Sequence, residues 1–351
     1  MAQHNNKLKE SWEQLIEDNP RTRIRDAAEM LDVSEMELLT IDMPTDNILL
    51  LHGDFKALMQ RLTQVGKIMT LVRNDIAVHE LSGTYPALRF NRNPQVGVAM
   101  DAIDLRIHFN EYCYAFAVEK PQGKQTLKSI QFFDKSGHAL QKIYLKNQDH
   151  NELWDDIVNN FKADIQSANF NLVKAEKYNQ SFVDIDMPRF TRAWEQMRDV
   201  HDLSRIIKRF GISRHEAVSI IGEPYSYQIT PQSINTFMQQ VSEQKISCFV
   251  FVGNKGVTQI YSGEFQNTKE MGSWMNVLDP NFNLHVLIST INDAWIVKKP
   301  TRFGIVTSIE IYDVNGKISL QFAPVGTRQG EESAEWRFLL EQLPKAKLNK
   351  K

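Results

Sequence analysis

Cysteine is nearly absent: the 351 residues hold only Cys113 and Cys248, which sit far apart in apolar surroundings and match no metal-ligand spacing. They read as reduced, buried thiols in a reducing compartment, which excludes a disulfide framework. Long apolar runs are missing too, and the polar start, Met1 to Glu10, has no apolar stretch for export, so neither a membrane span nor a secretory leader is expected and the chain reads as cytosolic. No excess of positive charge exists: 41 Lys and Arg against 43 Asp and Glu give a net charge of -2, so no overall field recruits nucleic acid or anionic lipid. Also lacking are a Gly-rich phosphate loop, a Cys-x-x-Cys pair, a His-Glu-x-x-His helix and a nucleophile elbow. A self-contained catalytic apparatus is therefore unsupported, which favours a binder or a reaction driven by a bound group. What is present is ordinary globular composition, 42% hydrophobic and 24% charged, over a length that suits two domains.

Those two domains are copies of one another. Ser11-Trp-Glu-Gln-Leu15 returns as Ala193-Trp-Glu-Gln-Met197, Asp32-Val-Ser34 as Gly211-Ile-Ser213, and Ala57-Leu-Met-Gln-Arg61 as Thr236-Phe-Met-Gln-Gln240. Ala115-Phe-Ala-Val-Glu-Lys120 matches Ala294-Trp-Ile-Val-Lys-Lys299, and Ser129-Ile-Gln-Phe-Phe-Asp134 matches Ser308-Ile-Glu-Ile-Tyr-Asp313. The offset stays between 179 and 182 throughout, a constancy that chance does not produce. Each copy opens with helices: Leu203, Ile206, Ile207 and Phe210 fall on one helical face. Strands of period two follow, among them 76–81, 105–109, 114–118 and 129–133, and a closing helix over 335–343 ends the second copy. Helices, a strand meander and a closing helix predict an α+β fold: a tandem duplication of a domain with a large, mainly antiparallel β-sheet flanked by helices. The copies are expected at 1–175 and 176–351.

Residues that differ between copies are candidates for function. His201 lies just before the amphipathic helix, and its counterpart, seven residues after the matching tryptophan, is Asn19. The plain alternative is a histidine that packs against or caps the helix start. Arg214 stands opposite Glu35 across the repeat, Arg106 opposite His285, and Lys299 opposite Lys120. For each cation the plain alternative is a solvated or salt-bridged surface residue. Arg25 to Leu39 also has the spacing of a helix-turn-helix, but its second helix would carry Glu35 and Glu37 into a groove lined by phosphates. Electrostatics argue against that reading, and no nucleic-acid partner is expected.

The second half resembles the HemS/ChuS/HmuS family of bacterial haem-utilisation proteins. The resemblance rests on Trp194 to His201, Val250 to Gly256, Trp274 to His285 and Ala294 to Thr301. In the first half His52-Gly-Asp54, Asn74 to Gly83, Asp104-Leu-Arg106 and Ser129 to Asp134 add to it. The resemblance implies haem as ligand or substrate, His201 as the iron ligand, and Arg106 as the catalytic arginine that steadies iron-bound oxygen. It also implies Arg214, Lys299 and, in a less certain alignment, Arg328 as partners of the haem propionates. Phe322 stands where the family often has a tyrosine. A neutral imidazole suits haem iron, and guanidinium and ammonium groups suit carboxylates. The function so implied is haem binding with oxidative degradation and iron release, the electrons coming from an external donor or reductase. The other reading is a non-enzymatic chaperone that receives haem from an uptake transporter and delivers it to a separate oxygenase. Asn19 at the sister position predicts one principal haem per chain.

Overall fold

A computed structural model describes residues 2–90, 93–146, 148–174, 184–326 and 330–346. In chain order the first elements are α1 (Ala2–Asp18), α2 (Ile24–Met30), α3 (Glu35–Leu39), β1 (Ile48–Leu51), α4 (Phe55–Arg61), β2 (Lys67–Arg73), β3 (Ala77–Thr84) and β4 (Arg89–Phe90). Next come β5 (Val96–Ala99), β6 (Asp104–His108), β7 (Tyr114–Gln122), β8 (Gln125–Phe133), β9 (Ala139–Leu145) and α5 (Asn151–Phe161). The order restarts with α6 (Met187–Glu195), α7 (Asp202–Phe210), α8 (Arg214–Ile221), β10 (Ser226–Ile229), α9 (Ser233–Glu243), β11 (Cys248–Gly253) and β12 (Val257–Gly263). It ends with β13 (Thr268–Met271), β14 (Trp274–Leu278), β15 (Phe282–Leu287), β16 (Asp293–Thr301), β17 (Gly304–Tyr312), β18 (Ile318–Pro324) and α10 (Ala334–Glu341).

Two compact units result. One comprises Met1–Val72, Ser82–Glu176 and Lys255–Val257, the other Arg73–Leu81, Lys177–Asn254 and Thr258–Lys351. Within the first, an antiparallel sheet runs β1-β7-β8-β9-β2, and a smaller one runs β4-β5-β6. Period two divides β8 between its faces. Phe132 meets Phe55 of α4 edge-on at 5.8 Å, while Phe133 joins Met36 and Leu39 of α3 in the core on the opposite face.

Within the second unit the corresponding sheet runs β10-β16-β17-β18-β11-β12, and a four-stranded one runs β3-β15-β14-β13. Phe190 and Trp194 of α6, Leu203 and Ile206 of α7, and Ala217 and Val218 of α8 pack against Trp295, Val297 and Tyr312. Each such fully buried large side chain contributes on the order of 1.5–3 kcal/mol. The Trp194 indole N–H donates to Lys298 O at 3.0 Å, which fixes α6 on β16. On the other face Phe237 of α9 lies against Phe322 and Trp336.

The α2–α3 corner bears on the helix-turn-helix reading. Alpha3 is five residues long, and Glu35, Met36, Leu38 and Leu39 are all buried in its own unit. A recognition helix has to offer a solvent-facing surface to a groove, and of the α3 residues only Glu37, an anion, is partly exposed. One cysteine also departs from expectation. Cys248 is buried, but Cys113 is exposed just before β7: its N–H already bonds Phe133 O, and in extended backbone the neighbouring Tyr112 takes the buried face. No helix among the described residues is long and apolar enough to cross a membrane.

Candidate functional site

His201 is placed by the two helices around it. Asp202 and Asp199 organise the turn that ends α6: the Asp202 carboxylate accepts from the N–H groups of Arg198 and Asp199, and the Asp199 carboxylate accepts from the His201 N–H at 2.9 Å. Alpha7 then starts at Asp202, buries Leu203 and Ile206, and stops at Gly211, whose φ of 68° is a left-handed cap that other residues adopt at a cost. His201 is the N-cap residue, but its side chain makes no capping bond. The imidazole is 81% exposed, and the nearest carboxylate, Asp199, lies 4.0 Å from Nε2. The ring therefore neither packs nor caps. It stands in solvent on a rigid corner with no structural task among the described residues.

Arg214 and Lys299 are brought together in the same unit by a residue that sequence reasoning passed over. Arg214 opens α8, which a capping box of Ser213 and Glu216 begins. Its guanidinium binds Glu310 of β17 through two parallel bonds of 2.8 and 2.7 Å, and it also reaches Gln321 at 3.3 Å. Lys299 of β16 points to the same carboxylate at 2.5 Å and to Ser308 Oγ at 3.0 Å. The Tyr312 hydroxyl donates to the other Glu310 oxygen at 2.7 Å. Glu310 is fully buried, Lys299 nearly so, and the Arg214 side chain keeps 31% exposure.

Burial alone would raise the Glu310 carboxyl, but the charges of Arg214 and Lys299 outweigh it and hold the group well below the usual carboxylate range. Lys299 is pushed down to about 8 by burial, against the pull of Glu310 and with the help of Arg214. Two cations thus share one buried carboxylate, and the group carries a net positive charge. Its outlet to solvent is the Arg214 side chain.

The first unit holds a rearranged version of this cluster. Glu35 occupies the helix position of Arg214, and it forms a buried ion pair with Lys142, which occupies the strand position of Gln321. Gln131 stands in place of Glu310 and Phe133 in place of Tyr312. The carboxylate is therefore on the helix in one copy and on the strand in the other. The signal was present in the aligned pair Ser129-Ile-Gln-Phe-Phe and Ser308-Ile-Glu-Ile-Tyr.

Arg106 lies on β6 in the first unit. Its Nη1 donates to Ala99 O at 2.8 Å and Leu105 O at 3.0 Å, and it pairs with the Asp104 carboxylate. His285, its counterpart, bonds through Nδ1 to Asn276 at 2.6 Å on the neighbouring strand. Phe322 is buried in the core beside Phe237 and Phe265, on the face away from Gln321, so the hydroxyl of this region belongs to Tyr312. Arg328 lies outside the described residues.

Comparison with known proteins now gives the class. The family model for HemS, described as the haemin-degrading HemS.ChuX domain, matches residues 32–161 and again 211–343. A haem-binding protein of Pseudomonas aeruginosa, PhuS in its holo form, is 31% identical with a TM-score of 0.90, over 97% of this chain and 99% of that one. The haem-degrading enzyme ChuS of Escherichia coli O157:H7 is 28% identical with a TM-score of 0.87, again over 97% and 99%. The hemin transport protein HemS of Yersinia enterocolitica is 30% identical over 93% of this chain and 94% of its own length. The chain belongs to the HemS family, and the double match carries the tandem duplication with it.

Proposed function

We propose that this protein binds haem through His201 and opens the macrocycle oxidatively with electrons from an external donor, releasing iron. The observation that carries the reading is the His201 imidazole, exposed and making no hydrogen bond among the described residues, on a corner fixed by Asp199, Asp202 and the α7 core. An imidazole so presented is a good haem-iron ligand. The net positive group built on Glu310 lies in the same unit, and its exposed member, Arg214, suits a haem carboxylate. Haem supplies the oxygen chemistry when bound, so the chain needs no catalytic triad of its own. For Arg106 the proposed role is that of the catalytic arginine, and the cytoplasm is the proposed compartment. An uptake transporter and a reductase are the proposed partners.

A second reading has its own support: the Yersinia relative is named for hemin transport, whereas ChuS of Escherichia coli is described as a haem oxygenase. A carrier and an oxygenase share a ligand and differ in what reduction does. The test is a haemin titration followed by visible absorption, then ascorbate in air with catalase present. Saturation near one equivalent, followed by loss of the Soret band and a verdohaem- or biliverdin-like product, supports the enzyme. A Soret band that survives reduction, with haem passed to an added oxygenase, supports the carrier and overturns degradation. Arg106→Ala should bind haemin and degrade it more slowly. Unchanged degradation by that variant refutes its catalytic role.

A further inference from the structure

The bonds around Glu310 assign Lys299 a task other than touching the ligand. Resting on the haem reading above, we propose that Glu310 and Lys299 are positioning residues: Glu310 orients the Arg214 guanidinium, and Lys299 neutralises Glu310, leaving Arg214 a full positive charge for one haem carboxylate. The Lys299 ammonium is 3% exposed and is spent on Glu310 Oε1 and Ser308 Oγ, so it faces inward. The guanidinium meets the same carboxylate edge-on through Nε and Nη2, Nη2 also reaches Gln321, and the side chain as a whole keeps 31% exposure. A guanidinium bonded in this way is fixed in plane, so less side-chain freedom is lost when it takes a further anionic partner.

Charge counting explains the third member. Arg214 and Glu310 alone would form a neutral pair with little attraction for a further anion. Adding Lys299 restores one net positive charge without adding an exposed group. The other copy is built differently: Glu35 on the helix is buried and paired with Lys142, and Gln131 takes the place of Glu310.

The experiment compares haemin with haem dimethyl ester, which lacks the free carboxylates, on wild type, K299M, E310Q and K299M/E310Q. For haemin, K299M is expected to bind about tenfold more weakly, the order of one unit charge acting at protein-surface screening. Its affinity for the dimethyl ester should not change. In K299M/E310Q the Arg214 charge is again unbalanced, and haemin affinity should rise above that of K299M, short of wild type because the orienting carboxylate is gone. A direct Lys299 contact predicts instead that the double variant stays as weak as K299M, and that result overturns the proposal. Equal losses for haemin and ester would also overturn it, because they mean a folding defect and not a carboxylate effect. Should K299M fail to fold, the double variant against wild type decides alone: a loss of a few-fold supports the arrangement and a tenfold loss refutes it. Where wild type binds no haemin, the haem reading falls first and this inference with it.

A pH profile adds a readout that packing would not move. The titratable and charged groups facing Lys299 are Glu310 and Tyr312 on β17 and Arg214 on α8. With Lys299 titrating near 8, the preference for haemin over its ester should decline above that pH in wild type and stay level in K299M/E310Q. A level profile in wild type counts against the role of Lys299.

Discussion

Replacing His201 by alanine should separate function from stability. The imidazole is 81% exposed and makes no hydrogen bond among the described residues, while the corner is held by the backbone N–H bonds to Asp199 and Asp202 and by the buried Leu203 and Ile206. None of these is removed by the substitution. A surface change of this kind costs within about 0.5 kcal/mol. For a unit of some 175 residues that is a shift of about 1–2 °C in Tm. Haem binding should respond very differently, because the iron loses its protein ligand. Calorimetry of the apo-protein and haemin titration by visible absorption measure the two effects on one preparation. The expected pair is an unchanged apo Tm and a Soret band that is shifted or fails to saturate. An apo Tm lowered by 5 °C or more would mean that the ring has a structural task after all. A wild-type haem spectrum in the variant would refute the ligand assignment.

Glu35→Ala should destabilise the first unit by about 3–5 kcal/mol, since it leaves the Lys142 ammonium buried beside a missing partner; urea unfolding checks it, and a loss below 1 kcal/mol refutes the pairing. Gly137→Ala should cost about 2–3 kcal/mol, from the left-handed backbone at φ 78° and a Cβ that would overlap Ser34 Oγ, the α3 cap. Its repeat mate Gly316→Ala meets only His215 Nδ1 at 3.2 Å and should cost less, so equal Tm losses would refute that account. For pH, Glu310 has a depressed folded pKa, so its stabilisation is complete above the ordinary carboxylate range and fades as pH falls through the folded value. The stability gap between wild type and Glu310→Gln should therefore be level from pH 7 to 5 and shrink in stronger acid; a gap that widens in acid contradicts the sign.

Much of this was legible in the sequence because repeats amplify weak signals. The pattern of Leu203, Ile206, Ile207 and Phe210 marked α7, and the constant offset fixed two copies of one fold. Position also singled out His201, as a residue with a free choice of chemistry in one copy only. What the sequence could not yield was accessibility. Lys299 and Arg214 looked alike as cations, yet one is sealed against Glu310 and the other reaches solvent. Period two places Lys299 on a given face of β16, but it does not say which groups from β17 and α8 close over it. Cys113 failed for the same reason: apolar neighbours in sequence did not become neighbours in space.

The asymmetry between the copies extends past the ion cluster and argues for its purpose. In the first unit Met36, Tyr114 and Phe133 pack α3 against the sheet as an apolar group. The matching positions in the second are His215, Asp293 and Tyr312, where the His215 ring lies 4.8 Å from Tyr312 and bonds Asp293 at 2.9 Å. Exchanging an apolar contact for a polar network brings little stability, because each buried polar group first has to be desolvated. Drift at a neutral position would leave such groups partly unsatisfied. Here they are joined in sequence, Asp293 to His215, His215 against Tyr312, and Tyr312 through Glu310 to Arg214 and Lys299. The network occupies the copy that carries His201, and it ends at the one guanidinium that faces solvent among these groups. Polar residues retained at that cost, in that copy, are what orienting a cation for an anionic ligand requires.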